Sequence, residues 1–191
     1  AVIYPNAIPW FDLPATPKKE EIVFSGNLEY HPNKRAPRFF YEDIWPSLRR
    51  RYPDLIWQNV GRNHEWAAAA FSADRRVRFT GPVDNALEAL ARARVAVVPL
   101  LAGSGTRFKI IEAWAAGTPV VSTTIGAEGL PGVHGEHLLI ADTPEDFIGA
   151  LTAVLDNDDF SHRLRAAGRR LYEECLTWHA AWEILSDGLN I

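Results

Sequence analysis

Arg107, Lys109 and Glu112 follow directly on the stretch Gly103-Ser104-Gly105-Thr106. The two glycines and the serine let the backbone approach a ligand closely. If a helix opens near Thr106 to Phe108, its first amides present free N–H groups suited to an anion such as a diphosphate. Arg107 and Lys109 put full positive charge on that first turn, where the helix dipole already disfavours cations, so their location argues for a bound anion. Glu112 lies three residues beyond Lys109, on a shared helix face, and a carboxylate there can accept two hydrogen bonds from the vicinal hydroxyls of a ribose. A plain surface ion pair between Lys109 and Glu112, worth under about 1 kcal/mol, fits the same spacing. Both cations are expected to face solvent and to be dispensable to the core.

Such a loop works only if a strand delivers it and a helix receives it. Short runs rich in Val, Ile and aromatic residues recur at 21–25, 55–60, 77–80, 95–100, 119–123 and 137–140, and these are read as strands. Helical patterns lie between them at 33–51, 65–72, 85–94 and 107–116. Strand and helix therefore alternate, which predicts an α/β fold with a doubly wound parallel sheet. Three further helices are expected at 144–155, 160–174 and 177–185, capped by Asp142 or Thr143, by Asn157 or Asp158, and by Thr177. Asp84 is read as the N-cap of the 85–94 helix. In a sheet of this kind ligands bind beyond the carboxyl ends of the strands, which directs attention to the loops at 26–34, 61–64, 81–84, 101–106 and 124–132.

The bulk properties limit the partners. A chain of 191 residues with 47% hydrophobic residues and net charge −4 builds one domain with a real core and offers no broad basic surface to a nucleic acid. No apolar run approaches the roughly 20 residues of a spanning helix, so no membrane span is expected. One cysteine, Cys175, cannot form an internal disulfide, and a cytoplasmic setting is favoured. Six histidines scattered without a His-x3-His pattern make a metal site improbable. Trp45, Trp114, Trp178 and Trp182 sit on helical patterns and are read as packing residues. The prolines at 5, 9, 14 and 17 mark residues 1–19 as a connector ahead of a domain at 20–191. Trp10 and Phe11, within it, are the aromatics expected to lack a partner. The absence of methionine suggests a fragment.

The segment Gly103-Ser104-Gly105-Thr106-Arg107-Phe108-Lys109-Ile110-Ile111-Glu112-Ala113, running on through Gly117 and Pro119, resembles the signature of the family-4-type retaining glycosyltransferases. Three more stretches are similar to landmarks of that family's C-terminal domain, in order: 22–33, 77–84 and 125–130, the last reading Ile-Gly-Ala-Glu-Gly-Leu. The resemblance implies the Rossmann-like, donor-binding half of a GT-B fold with C-terminal helices, its N-terminal acceptor domain absent. It implies a nucleotide-diphosphate sugar as donor substrate, no cofactor and no metal. The chain alone would be inactive, and in the cell it would act in the cytoplasm, at the inner face of the membrane if the absent domain binds there.

Residue by residue, the resemblance gives Glu112 the donor ribose. The loop Gly103, Ser104, Gly105, Thr106 and Phe108 is read from its own spacing as the phosphate site, with Arg107 and Lys109 as the catalytic charges that stand in for the family's usual clamp. Gly26 and Asn27 fall at the first strand's loop, and Gly81 and Val83 cradle the base. The first member of the family's Glu-x7-Glu pair falls at Ser104, where only a hydroxyl is available. Asn27 and, loosely, Lys34 stand where many relatives carry arginine and lysine; Lys34 is read as a solvated helix start, and Arg62 as either a flank of the nucleotide or an exposed loop residue. Two other readings remain open: a stand-alone, non-catalytic nucleotide-sugar-binding module, and half of a GT-B nucleotide-sugar epimerase.

Overall fold

The computed structural model describes residues 6–13, 15–28, 31–62, 65–103 and 105–189. Six strands, β1 (Glu21–Ser25), β2 (Ile56–Val60), β3 (Val77–Phe79), β4 (Val95–Val98), β5 (Val120–Ser122) and β6 (Leu139–Ile140), form one sheet in the order β3-β2-β1-β4-β5-β6. Every pairing is parallel. β1, β4 and β5 are buried along their whole length, as strands covered on both faces must be, and their runs of β-branched residues suit that position. The chain steps outward from β1 to β3, returns to β4 and then steps the other way. The two directions of travel put helices on opposite faces: Trp45–Arg51 and the turn before it pack with Pro144–Asp156 on one, and Ala86–Arg92 and Phe108–Ala115 pack with Asp158–Cys175 on the other.

The helices are α1 (His31–Phe39), α2 (Trp45–Arg51), α3 (Glu65–Phe71), α4 (Ala86–Arg92), α5 (Phe108–Ala115), α6 (Thr124–Ala127), α7 (Pro144–Asp156), α8 (Asp158–Cys175) and α9 (Trp178–Leu189). The helix expected over 33–51 is continuous but contains a π-helical turn at Phe40–Ile44, where the Trp45 N–H reaches back to the Phe40 carbonyl. Pro46, at the start of α2, has no N–H to donate, which breaks the regular ladder at this point. The turn brings Phe40 to 4.6 Å from Trp57 and 6.1 Å from Phe147, ring centre to ring centre. Of the paired cap candidates, Thr143 and Asn157 are the ones that cap, and the Ala180 N–H donates to Thr177 Oγ1. Asp84 is not a cap: Asn85 takes the role by accepting from the Leu87 N–H. Helix α6, capped by Thr123, was not legible in the sequence. Among the described residues no helix is long and apolar enough to cross a membrane.

The stretch read as a connector is stitched to the domain over residues 8–11. Ile8 exchanges backbone hydrogen bonds with the chain around Thr177, donating to Leu176 O and accepting from Trp178 N. The Tyr172 hydroxyl accepts from Phe11 N at 2.9 Å and donates to Pro9 O at 2.6 Å. Arg169 donates to Phe11 O, and its guanidinium lies within about 5 Å of the ring centres of both Trp10 and Tyr172. Phe11 thus has partners, contrary to expectation, and Trp10 stacks on Tyr172 while remaining 55% exposed. Trp45 and Trp114 are buried as expected, but Trp178 and Trp182 are exposed, because the apolar stripe of α9 is broader than the surface it packs against.

Tyr172→Phe removes the group that both accepts from Phe11 and donates to Pro9. We expect it to lower unfolding stability by about 1–3 kcal/mol in urea titration. A change within about 0.5 kcal/mol, the range of ordinary surface substitutions, would show that residues 8–11 are held by packing alone.

Candidate functional site

The sheet order reverses between β1 and β4, and the crevice beyond their carboxyl ends is where an open parallel sheet binds ligands. The loops around that crevice are tied to one another. Gly26 N donates to Val60 O, Leu28 N to Arg62 O, and Gly61 N to Gly81 O. Gly61 has φ +118°, and a Cβ there would lie 2.6 Å from the Gly26 carbonyl oxygen, so the loops after β1 and β2 approach this closely only because the residue is glycine. Gly26, Asn27 and Gly81 are thereby held in one row.

Helix α5 opens into this crevice. Arg107 occupies its N-cap position and provides no side-chain cap, so the first amides keep their donors for another acceptor. Gly105, with φ +105°, has nothing within 4 Å of where a Cβ would stand, which leaves its backbone open to a ligand. Thr106 is half-buried and donates to Asn6 Oδ1 at 3.1 Å. Phe108 is exposed. Ser104 lies outside the described residues.

The two cations differ from expectation. Arg107 is buried, not solvent-facing: its Nη2 donates to Gly103 O at 3.1 Å and to Glu128 Oε2 at 2.9 Å, and its Nε is buried without a partner. The N-cap position turns the side chain back under the glycine loop instead of outward. Lys109 is half-buried, with Nζ 5.6 Å from the centre of the fully buried Phe24 ring. Burial pushes its amine below the usual lysine range, Glu112 opposes that shift, and Arg107 adds to it. Burial raises the Glu112 carboxyl and Lys109 counters it. Both groups are thus drawn out of water, unlike a solvated surface pair.

Glu112 faces a cavity of about 400 Å³, whose other walls are Ile8, Pro9 and Phe11 and residues 84–87 at the start of α4. Val83, adjoining that wall, is 41% exposed. The structure therefore gathers Glu112 with residues 84–87 around one cavity, and Arg107 with Gly103 and Glu128 at the start of α5. Two residues of this region had no assigned role in the sequence. Glu128 meets Arg107 only through the fold, across 21 positions, so no spacing signals it. Asn59, near the end of β2, is 2% exposed with its side-chain amide nitrogen and oxygen both unpartnered; a polar residue inside a buried strand was its only sign. No group of His, Cys, Asp and Glu suited to a metal is present among the described residues.

Residues 19–157 match the model of the family described as Glycosyl transferases group 1. The chain belongs to that family. This group 1 glycosyltransferase domain is 34% identical over 132 residues to the phosphatidyl-myo-inositol mannosyltransferase of Mycobacterium leprae, a match covering 66% of this chain and 35% of that protein. It spans about a third of the length of the curated relatives it matches. Its fold is that of GT-B glycosyltransferases: a mutant of S. aureus TarM, solved with fondaparinux, alpha-GlcNAc-glycerol and UDP, superposes with TM-score 0.74 at 13% identity, covering 96% of this chain and 38% of that one. The C-terminal domain of a group 1 protein, LpcC, from Francisella tularensis superposes with TM-score 0.66 at 16% identity, covering 85% of this chain and 89% of that one.

Because the Lys109 amine is pushed down, its charge is lost at a lower pH than that of an ordinary lysine. Affinity for inorganic pyrophosphate, followed by calorimetry, should therefore fall with rising pH, and begin to do so below the range in which an ordinary lysine loses its charge. Lys109→Met should weaken binding at neutral pH and flatten the profile. A wild-type profile that stays level to pH 10 would place the anion away from Lys109.

Proposed function

We propose that this chain is the donor-binding half of a retaining glycosyltransferase that moves a sugar from a nucleotide-diphosphate sugar to an acceptor. The observation that carries the reading is the start of α5. A helix end without a side-chain cap, the buried Arg107 and the desolvated Lys109 concentrate positive charge in one place, and a diphosphate supplies the charge that this arrangement lacks. Gly105 and Thr106 let it approach. The nucleoside then runs into the cavity beside Glu112, whose carboxylate accepts from the ribose hydroxyls, while Gly81 and Val83 flank the base. Gly26 and Asn27 close the site from the β1 side.

In transfer, the bond between the sugar's anomeric carbon and the diphosphate oxygen breaks, and its electron pair leaves on the diphosphate. Lys109, Arg107 and the α5 amides stabilise that growing charge, and their low-solvation setting makes each contact stronger than it would be in water. No metal or cofactor is needed for this part of the chemistry. A second, Rossmann-like domain ahead of residue 1 would hold the acceptor and close the cleft, and any attachment to the cytoplasmic face of a membrane would reside there. The share of the relatives that this chain spans, and its match in extent to a C-terminal domain from Francisella tularensis, support that division.

The test uses Glu112→Ala and Glu112→Gln titrated with UDP, GDP or ADP and with the 2′,3′-dideoxy analogue of whichever binds. Hydrogen bonds to a charged group contribute about 1.5–3 kcal/mol, so the ribonucleotide should bind roughly tenfold or more weaker, with the dideoxy analogue unaffected. Equal loss for both ligands, or none, would remove Glu112 from the ribose site. Failure of the wild-type chain to bind any of the three nucleotides would overturn the donor-binding reading itself.

A further inference from the structure

We propose that Glu128 is the carboxylate that holds the sugar of the donor, fixed for that task by the buried Arg107. The inference rests on the donor-binding reading above and extends it to the group beyond the distal phosphate.

Glu128 comes directly after the short helix α6, and its backbone is pinned to the strand that delivers the glycine loop. Thr123 Oγ1 donates to Leu100 O at 2.6 Å and accepts from Gly126 N at 3.0 Å. Asp142 holds Thr124 by two hydrogen bonds, from its N–H at 2.7 Å and its hydroxyl at 2.6 Å. A Cβ at Gly126 would stand 2.9 Å from Val98 O, so α6 lies close against the end of β4. The position of Glu128 relative to the phosphate loop is thereby set within narrow limits.

The side chain is then fixed at one oxygen only. Oε2 accepts from Arg107 Nη2, which also donates to Gly103 O, so the carboxylate stands within two hydrogen-bond lengths of the glycine loop. Oε1 has no partner among the described residues, and the side chain is 70% exposed. For stability alone this is a poor arrangement: a buried guanidinium with one nitrogen unpartnered, paired to a carboxylate largely in water, contributes little net binding. What it does secure is position, with one oxygen held beside the glycine loop through Arg107 and the other left to accept from a ligand.

Place and chemistry select the ligand group. Glu112 lines the cavity assigned to the nucleoside, whereas Glu128 is held through Arg107 at the glycine loop and is not among that cavity's walls, so the group borne on the far phosphate is assigned to Glu128. A carboxylate repels a phosphate but accepts readily from hydroxyls. It therefore favours a neutral polyhydroxyl group over a bare terminal phosphate, and Glu128 distinguishes the sugar nucleotide from the free diphosphate.

The test titrates the wild type, Glu128→Gln and Glu128→Ala with UDP, GDP and ADP and with UDP-glucose, GDP-mannose and ADP-glucose, with thermal melting as a control on folding. For the sugar nucleotide that the wild type binds, both variants should lose affinity by roughly tenfold, as expected for lost hydrogen bonds to a charged group. Their affinity for the matching free diphosphate should hold or rise, because a negative charge is removed and Arg107 is released. Equal loss for both ligands would assign Glu128 to holding the loop and overturn the proposal, as would an unchanged ratio between them. If the wild type binds none of the six ligands, the donor-binding reading falls and this inference with it; if it binds diphosphates and only the ratio fails to move, this inference falls alone.

Discussion

Positive charge gathered where little water reaches it is the condition around which this domain is arranged. The dipole of α5 points its positive end at the crevice between β1 and β4, and the residue at its N-cap position is an arginine where an acceptor would ordinarily stand. That arginine is buried with one nitrogen unpartnered. Two residues later Lys109 is desolvated against Phe24. Each is a deficit of the kind that costs about 1–3 kcal/mol when left unmet. They fall together at the one place in the sheet where two loops diverge, and an anion there answers all of them at once.

The fold supplies the rigidity that such a site needs. β1, β4 and β5 are buried on both faces, and Gly61 against Gly26, together with Gly126 against Val98, brings neighbouring loops to distances that a side chain would forbid. Of the two carboxylates beside the charged cluster, Glu112 lines a cavity with residues 84–87 and Glu128 accepts from Arg107. The aromatic layer built by the π-helical turn, with Phe40 on Trp57 and Phe147, supports the sheet on the face carrying α2 and α7.

The features legible in the sequence were those encoded locally. Runs rich in Val, Ile and aromatic residues marked all six strands to within a few residues, most plainly β1, β4 and β5, where cover on both faces leaves little alternative composition. The Arg107, Lys109 and Glu112 spacing found the α5 start for the same reason. Cap assignment failed at Asp84 because the adjacent Asn85 offers the same acceptor one residue nearer the helix, and composition does not rank the two. Helix α6 is four residues long, too short for any periodicity. Burial of Arg107 and the role of Glu128 depend on where β5 lies beside β4, which is a tertiary fact. The exposure of Trp178 and Trp182 is likewise set by how much surface α9 finds to cover.

The stitching of residues 8–11 to α8 and α9 has a mechanical consequence. With Ile8 locked to Thr177, and Pro9 and Phe11 locked to Tyr172, the segment cannot pay out slack when the chain ahead of it is displaced. Any swing of that preceding chain must pivot at Asn6 or before it. Asn6 is itself the residue that accepts from the Thr106 hydroxyl in the glycine loop. A displacement of Asn6 would thus reach Thr106 through one hydrogen bond, without passing through the body of the domain.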